Sequence, residues 1–440
     1  MLLTHARIIT NDQDQPFLEQ GAILVQGDSI QDIGPEEELL KKYPDEERFD
    51  AQGRLVMPGM INAHTHIYSA YARGMAPSQP TTDFFTVLEN LWWRLDRNLD
   101  LEDSELSAYI TMIESIRNGV TTLIDHHSSP NHCAGSLFKL AEAAKKIGMR
   151  SDFCYECSDR DGERIFDEEV QENIDFIKAY NTDEQDLIHA HFGMHASFTL
   201  SQASMEKIAK AMQGLDAGYH IHVAEGIEDE YDSLKKYGKR IVNRLFDLGM
   251  LGPKTLAIHC VHASPEELQI LKDTDTSLVH NPLSNMNNAV GVTPVVDILR
   301  RGIRLGLGTD AYTHDMFESM HVAKILQPSH LSDCTVGFGE ALQMQFVGNP
   351  AICETIYKKP VGVLKKGAYA DLICLDYKPF TPFGARNWQG HCVFGMYGRM
   401  VNDNMINGQW VMRDRKILTV DEDEIFARSM AKVPSVWKNM

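Results

Sequence analysis

The sequence predicts an α/β protein in which a (β/α)8 TIM barrel is inserted into a small β-sandwich formed by both termini. Three observations carry that expectation. Eight short apolar runs separated by amphipathic helical stretches fill the middle of the chain, strand and hairpin signals mark its two ends, and no glycine-rich phosphate turn follows the first run.

At the start, residues 22–33 read as two strands around a Gly27-Asp28 turn; toward the end, 370–376 reads as a strand and 405–412 as a hairpin turning at Asn407-Gly408. Neither end holds enough strands for a stable sheet alone. Residues 1–57 and 358–440 are therefore expected to form one composite β domain around a barrel at 58–357. The apolar runs are 55–66, 119–127, 150–156, 187–195, 219–225, 255–262, 276–281 and 303–310, with helical patterns between them such as 102–118, 135–147 and 229–248. That number and spacing suit a closed parallel barrel. A doubly wound open sheet would advertise a phosphate turn, and Pro58-Gly-Met-Ile-Asn-Ala-His64 is unlike one.

Charge narrows the function. In 440 residues, 42 Lys and Arg face 62 Asp and Glu, a formal charge of −20. Nucleic acid and anionic membranes, which need clustered cations, are excluded as main partners. No apolar run reaches about 18 residues, and the first residues lack the basic and apolar regions of a secretory signal. A cytoplasmic protein is expected. The eight cysteines are sparse and irregular. Cys154 and Cys157 lie three apart on a predicted strand and face opposite ways, so they read as unlinked thiols.

There are eighteen histidines, and the ends of the predicted strands collect them. In order these ends carry His64 and His66; Asp125, His126 and His127; Glu156; His195; His222 and Glu225; His259; His280; and Asp310. In a barrel the carboxyl ends of the strands converge on one mouth, where the active site is built. His64-Thr-His66 is the strongest local signal, because residues two apart on a strand share a face and can reach one metal ion. His222 can supply a third nitrogen and Asp310 an oxygen, a donor set suited to zinc or iron over magnesium or calcium. Glu225 reads either as a first-turn acid of the next helix or as a proton shuttle beside the metal water. His259 is favoured as a site residue and His262 as capping or packing. His189, His191 and His220 read as satisfied interior residues, and only one of the adjacent His126 and His127 can point inward. A second metal on that pair with His132 and Cys133 finds little support.

Together Val56-Met-Pro-Gly-Met-Ile-Asn-Ala-His-Thr-His66, His222-Val-Ala-Glu225, His259-Cys-Val-His262, His280-Asn-Pro-Leu-Ser-Asn285 and Gly308-Thr-Asp310 resemble the amidohydrolase superfamily. The order and spacing are similar to its aminohydrolase branch, which includes guanine, cytosine and S-adenosylhomocysteine deaminases and triazine chlorohydrolases. Within it, the segments 89–96, 124–130 and 154–162 resemble the SsnA-type aminohydrolases associated with selenium or molybdenum hydroxylase systems. The resemblance implies His64, His66, His222 and Asp310 as metal ligands, Glu225 as the proton-shuttling acid, His259 as the polarising histidine and His195 as a substrate contact. Two-metal members carry a bridging carboxylated lysine after strand four; 187–195 has none, which implies one divalent transition metal, zinc or else iron. Relatives are commonly homo-oligomers, and one is expected here.

The expected reaction is deamination of an N-heterocyclic small molecule of purine, pterin or pyrimidine type. Metal-bound hydroxide attacks the ring carbon, Asp310 takes the water proton, Glu225 protonates the ring nitrogen, His259 stabilises the developing charge and ammonia leaves. The same machinery would hydrolyse a cyclic amide or a C–Cl bond. A metal-binding accessory protein of a selenium or molybdenum hydroxylase pathway is the reading from a different class. Substrate choice is expected from loops after strands one to three, with Arg73, Glu156 and Arg160 as substrate contacts and Trp92, Trp93 and Asp161 as further candidates.

Overall fold

A computed structural model describes residues 1–182, 186–438 and 440. Among the described residues the first part of the chain forms strands β1 (Leu2–Ile9), β2 (Phe17–Gln26), β3 (Ser29–Pro35), β4 (Arg48–Asp50) and β5 (Leu55–Pro58). The middle forms β6 (Met60–Thr65), β7 (Val120–Asp125), β8 (Arg150–Phe153), β9 (Ile188–Ala190), β10 (Phe192–Ala196), β11 (Tyr219–Val223), β12 (Leu256–His259), β13 (Ser277–His280) and β14 (Leu305–Leu307). The last part adds β15 (Leu372–Leu375), β16 (Val401–Ile406), β17 (Gln409–Arg413) and β18 (Lys416–Ile417). No described helix is long and apolar enough to cross a membrane.

Both ends share one sheet, in the order β18-β17-β16-β15-β5-β1-β2-β3 with β4 on β1. The junction is antiparallel, with Leu372 opposite Pro58 and Leu375 opposite Leu55. Three strands separate β17 from β1, yet Trp410 of β17 and Phe49 of β4 have ring centroids 4.5 Å apart. The sheet therefore folds over on itself, enclosing Leu3, Ile8, Ile23, Val56, Leu372 and Met405. The single run read at 55–66 is two strands, since the chain leaves the outer sheet at Pro58 and enters the barrel at Met60. Gly59 makes that step, where a Cβ would run into the Thr121 side chain.

The barrel strands are parallel in two arcs, β6-β7-β8-β9 and β10-β11-β12-β13-β14. The fourth expected run breaks at His191, so that β9 pairs with β8 and β10 with β11. His191 is turned aside by Asp152, 2.6 Å from Nδ1, and by the Lys254 carbonyl, 2.8 Å from Nε2. Asn173, on the helix Glu163–Tyr180, mends the seam: Oδ1 accepts from the N–H groups of Tyr155 and Gly193, and Nδ2 donates to the Tyr155 carbonyl. A parallel bridge between Thr65 and Asp310 closes the other seam.

At the start of β8, buried Arg150 joins the barrel to the outer sheet. Its Nε donates to Asp371 Oδ2 at 2.7 Å and Nη2 to Asn407 Oδ1 at 3.0 Å, while its guanidinium lies 3.8 Å from the Tyr369 ring centroid. Removing one member of a buried pair strands the other charge. Arg150→Met is expected to cost about 3–5 kcal/mol of unfolding free energy in urea titrations, and Arg150→Met with Asp371→Leu to recover most of it.

Candidate active site

The backbone at the barrel mouth brings the predicted residues together. The His64 carbonyl accepts the N–H groups of Thr309 and Asp310, both at 3.0 Å, so strands one and eight present their side chains to one point. His259 and Asp310 adopt φ of +70° and +55°, strained values for such residues that turn the chain at the strand ends.

Each imidazole is oriented from behind. His66 Nδ1 donates to the His126 carbonyl at 2.6 Å, His222 Nδ1 to the His195 carbonyl at 2.8 Å and His259 Nδ1 to Asn285 Oδ1 at 2.7 Å. With Nδ1 so engaged, it is Nε2 of each ring that points inward, free to bind a cation when unprotonated or to donate when protonated. His64 pairs its Nδ1 with His220 Nε2 at 2.9 Å, and its buried Nε2 has no hydrogen-bond partner among the described residues. His66 Nε2 lies 3.2 Å from His222 Nε2 and 3.2 Å from Asp310 Oδ1, while His64 Nε2 is 3.9 Å from that oxygen. Donors about 2.1 Å from a shared ion stand 3.2 Å apart at an angle of about 100° and 3.9 Å apart at about 135°. The unpartnered His64 Nε2, together with the Nε2 atoms of His66 and His222 gathered at one carboxylate, fits a divalent cation, and His64, His66, His222 and Asp310 are the residues that could hold it.

Electrostatics favours a cation too. Burial opposes charge on His66, yet Asp310, Glu156 and Asp125 hold its pKa up at about 9. Burial pushes His64 and His222 well down, leaving neutral donors. Burial would raise the Asp310 carboxyl, but His66, His259 and His222 hold it well below the usual carboxylate range. Ser284 Oγ donates to Asp310 Oδ2 at 2.6 Å. Glu225 moves the other way, pushed up by burial. Its Oε2 is 3.4 Å from His259 Nε2, and Asn288 donates to its Oε1 at 3.3 Å. The helix after β11, Ile227–Tyr237, takes Gly226 as its N-cap, which leaves Glu225 to face the cleft.

Tyr68, Phe84, Leu88, Trp92, Trp93 and Phe198 wall this cleft, with His195, Glu156 and Tyr312 completing it. His195 presents its ring there, with Nδ1 against Thr199 Oγ1 at 2.9 Å. Two expected substrate contacts stand elsewhere. Arg73 points to solvent in a bidentate pair with Glu114, and Arg160 is held behind Trp93 by Asp96, 2.9 Å from Nη2, and by Ser158. Neither lines the cleft, because each guanidinium is taken by an acid distant in sequence. Asp161 likewise accepts from Arg97. His262 donates to the Val290 carbonyl, and His127 lies 3.0 Å from Ser129 Oγ. His132 and Cys133 join no potential ligand group among the described residues, and Cys154 and Cys157 are free thiols.

Sequence reasoning passed over Ser284, Asn285 and Asn288, although they sit in or beside a motif it quoted. Ser284 and Asn288 are four apart, the spacing that puts two polar groups on one face of a turn. Phe84, Leu88 and Phe198 carried no signal beyond hydrophobicity.

The chain matches the model described as "Amidohydrolase family" over residues 55–411, and "Imidazolonepropionase-like composite domain, bacteria" over 21–45. It is 30% identical over 431 residues to a 5-methylthioadenosine/S-adenosylhomocysteine deaminase of Caldanaerobacter subterraneus subsp. tengcongensis, covering 97% of this chain and 96% of that protein. A 5'-deoxyadenosine deaminase of Methanosarcina mazei is 29% identical, with 97% and 95% covered. Among solved structures, an adenosine deaminase from Xanthomonas campestris with bound zinc shares the fold at a TM-score of 0.87 and 21% identity, covering 100% of this chain and 98% of that one. Guanine deaminase of E. coli shares it at 0.81 and 18%, with 94% and 99% covered.

A cation held by native residues stabilises the folded state through mass action. Zinc at a thousandfold excess over its dissociation constant is expected to add about 4 kcal/mol, read as a higher Tm in calorimetry and reversed by a chelator. In His64→Ala with His66→Ala the zinc response should largely vanish; an unchanged response would place the ion elsewhere.

Proposed function

Because this chain belongs to the amidohydrolase family, we propose that it is a metal-dependent aminohydrolase deaminating an uncharged N-heterocyclic small molecule with release of ammonia. The observation that carries this reading is the pair of carboxyls driven in opposite directions at one cleft. Asp310 is held ionised and Glu225 is pushed toward its protonated form, the division of labour expected of a base and an acid.

Zinc or iron held by His64, His66, His222 and Asp310 would supply a water acidified from 15.7 to about 7. The chain's own groups do the rest. Asp310, steadied by Ser284, accepts the proton of the attacking water. Glu225, held by Asn288, gives a proton to the ring nitrogen beside the attacked carbon. His259 Nε2 lies 3.4 Å from Glu225 and 3.6 Å from Asp310, placed to carry a proton between them or to donate to the developing negative charge.

The aromatic walls suit a flat ring. The lining includes Glu156, Glu225, Asp229 and Asp310 and, among the described residues, no Lys or Arg. A phosphate or carboxylate on the substrate would find no counter-ion there. Relatives named as deaminases of 5-methylthioadenosine/S-adenosylhomocysteine and of 5'-deoxyadenosine support a ring of adenine type.

Glu225→Gln and Asp310→Asn are each expected to lower kcat by about 10²–10⁴-fold or more while the fold is retained, measured as ammonia released from a heterocycle panel. Near-wild-type turnover by Asp310→Asn would overturn the assignment. On that panel, a nucleoside should be turned over in preference to its 5'-monophosphate.

A further inference from the structure

Beside the proposed metal ligands lies a second set of facing lone pairs that the reaction above leaves unused. His126, at the end of β7, is fully buried, and Glu156, after β8, is 2% exposed. His126 Nδ1 lies 3.1 Å from Glu156 Oε2, and neither atom has a well-formed hydrogen bond among the described residues. The ring's other nitrogen, Nε2, stands 3.2 Å from the His220 carbonyl, a contact it can make only by donating. Nδ1 therefore offers a lone pair to a carboxyl oxygen, and the two can be held together only by a proton or by a cation placed between them. Arg160, the nearby cation, turns Nη2 to Asp96 and Ser128 and Nε to Ser158, and its buried Nη1 makes no hydrogen bond to Glu156 or to any other described residue.

His66 and His222 stand between the two sets, and His66, His126, Glu156 and His222 can each bring one donor atom within 4.8 Å of the others. His64, His66 and Asp310 satisfy the same condition among themselves. An imidazole nitrogen has one lone pair and serves one ion. The geometry points to a second divalent-cation position formed by His126, Glu156 and His222, beside a first held by His64, His66 and Asp310. Each position then has three protein ligands, the ligand count of catalytic zinc sites. With a single ion bound, His222 completes the first set, so the second ion binds more weakly because it must draw that ligand away. Two imidazoles and a carboxylate suit zinc, cobalt or manganese ions. This inference rests on the metal-binding reading of the first set, and makes the centre capable of a two-metal state despite the lack of a bridging lysine.

Metal-free full-length protein titrated separately with Zn²⁺, Co²⁺ and Mn²⁺, freed of unbound ion and analysed for bound metal, tests it. Wild type is expected to reach two equivalents with at least one of these ions, and the two-manganese form to show the spin-coupled EPR signal of a close pair. Glu156→Gln and His126→Gln, checked for native near-ultraviolet circular dichroism, should each keep the first equivalent and lose the second along with the coupled signal. Saturation of wild type at one equivalent with all three ions overturns the proposal, as does a second equivalent that survives both substitutions. Binding of no stoichiometric metal would instead strike the first site and the proposed function together. If either variant fails to fold, the wild-type stoichiometry and the manganese signal still decide.

Discussion

Between β6 and the end of β14, one carbonyl does two jobs. The His64 oxygen accepts the N–H groups of Thr309 and Asp310, and Thr65 Oγ1 donates to the Asp310 carbonyl at 3.1 Å. Those bonds close the barrel, and they also set the distance between the His64 and His66 imidazoles and the Asp310 carboxylate. Barrel closure and ligand geometry cannot be varied separately. A shift large enough to loosen the cluster would open the seam, so the fold's own cooperativity holds the site in shape.

Behind the cluster, orientation comes mostly from the backbone. The rings of His66 and His222 are aimed by the carbonyls of His126 and His195, residues at the ends of neighbouring barrel strands. A carbonyl fixed by a strand is a stiffer support than a side chain, and it dictates which nitrogen keeps the lone pair. Asn285 and Ser284, from the short helix Pro282–Asn287, extend the same support to His259 and Asp310. The mouth is thus prearranged for a positive charge by elements that also pack the barrel.

What could be read from the sequence followed local rules. The two-residue spacing of His64 and His66, the alternation of apolar runs with helical stretches, and the titratable groups at strand ends all express short-range periodicity. What could not be read depended on distant partners. Arg73 and Arg160 looked available because nothing nearby marks Glu114 or Asp96 as their counter-ions. Glu225 could not be told from a helix-capping acid until Gly226 was seen to take the cap. The break at His191 was hidden because Asp152 and the Lys254 carbonyl, which divert the ring, come from other strands or their approaches. The boundary at Gly59 was hidden within an unbroken apolar run that serves two sheets in turn.

The pairing of β5 with β15 has a consequence in time as well as in space. The strand that completes the outer sheet beside Leu55–Pro58 is supplied only after every barrel strand has been made. A barrel that forms during synthesis does so with the β5 edge bare, a row of unpaired backbone groups open to pairing with other chains. The joint between the two ends is a contact of very high sequence separation, whose loop-closure entropy is lowered if the barrel folds first and brings the ends together. In that order of events the barrel is the template on which its own enclosing sheet is finished.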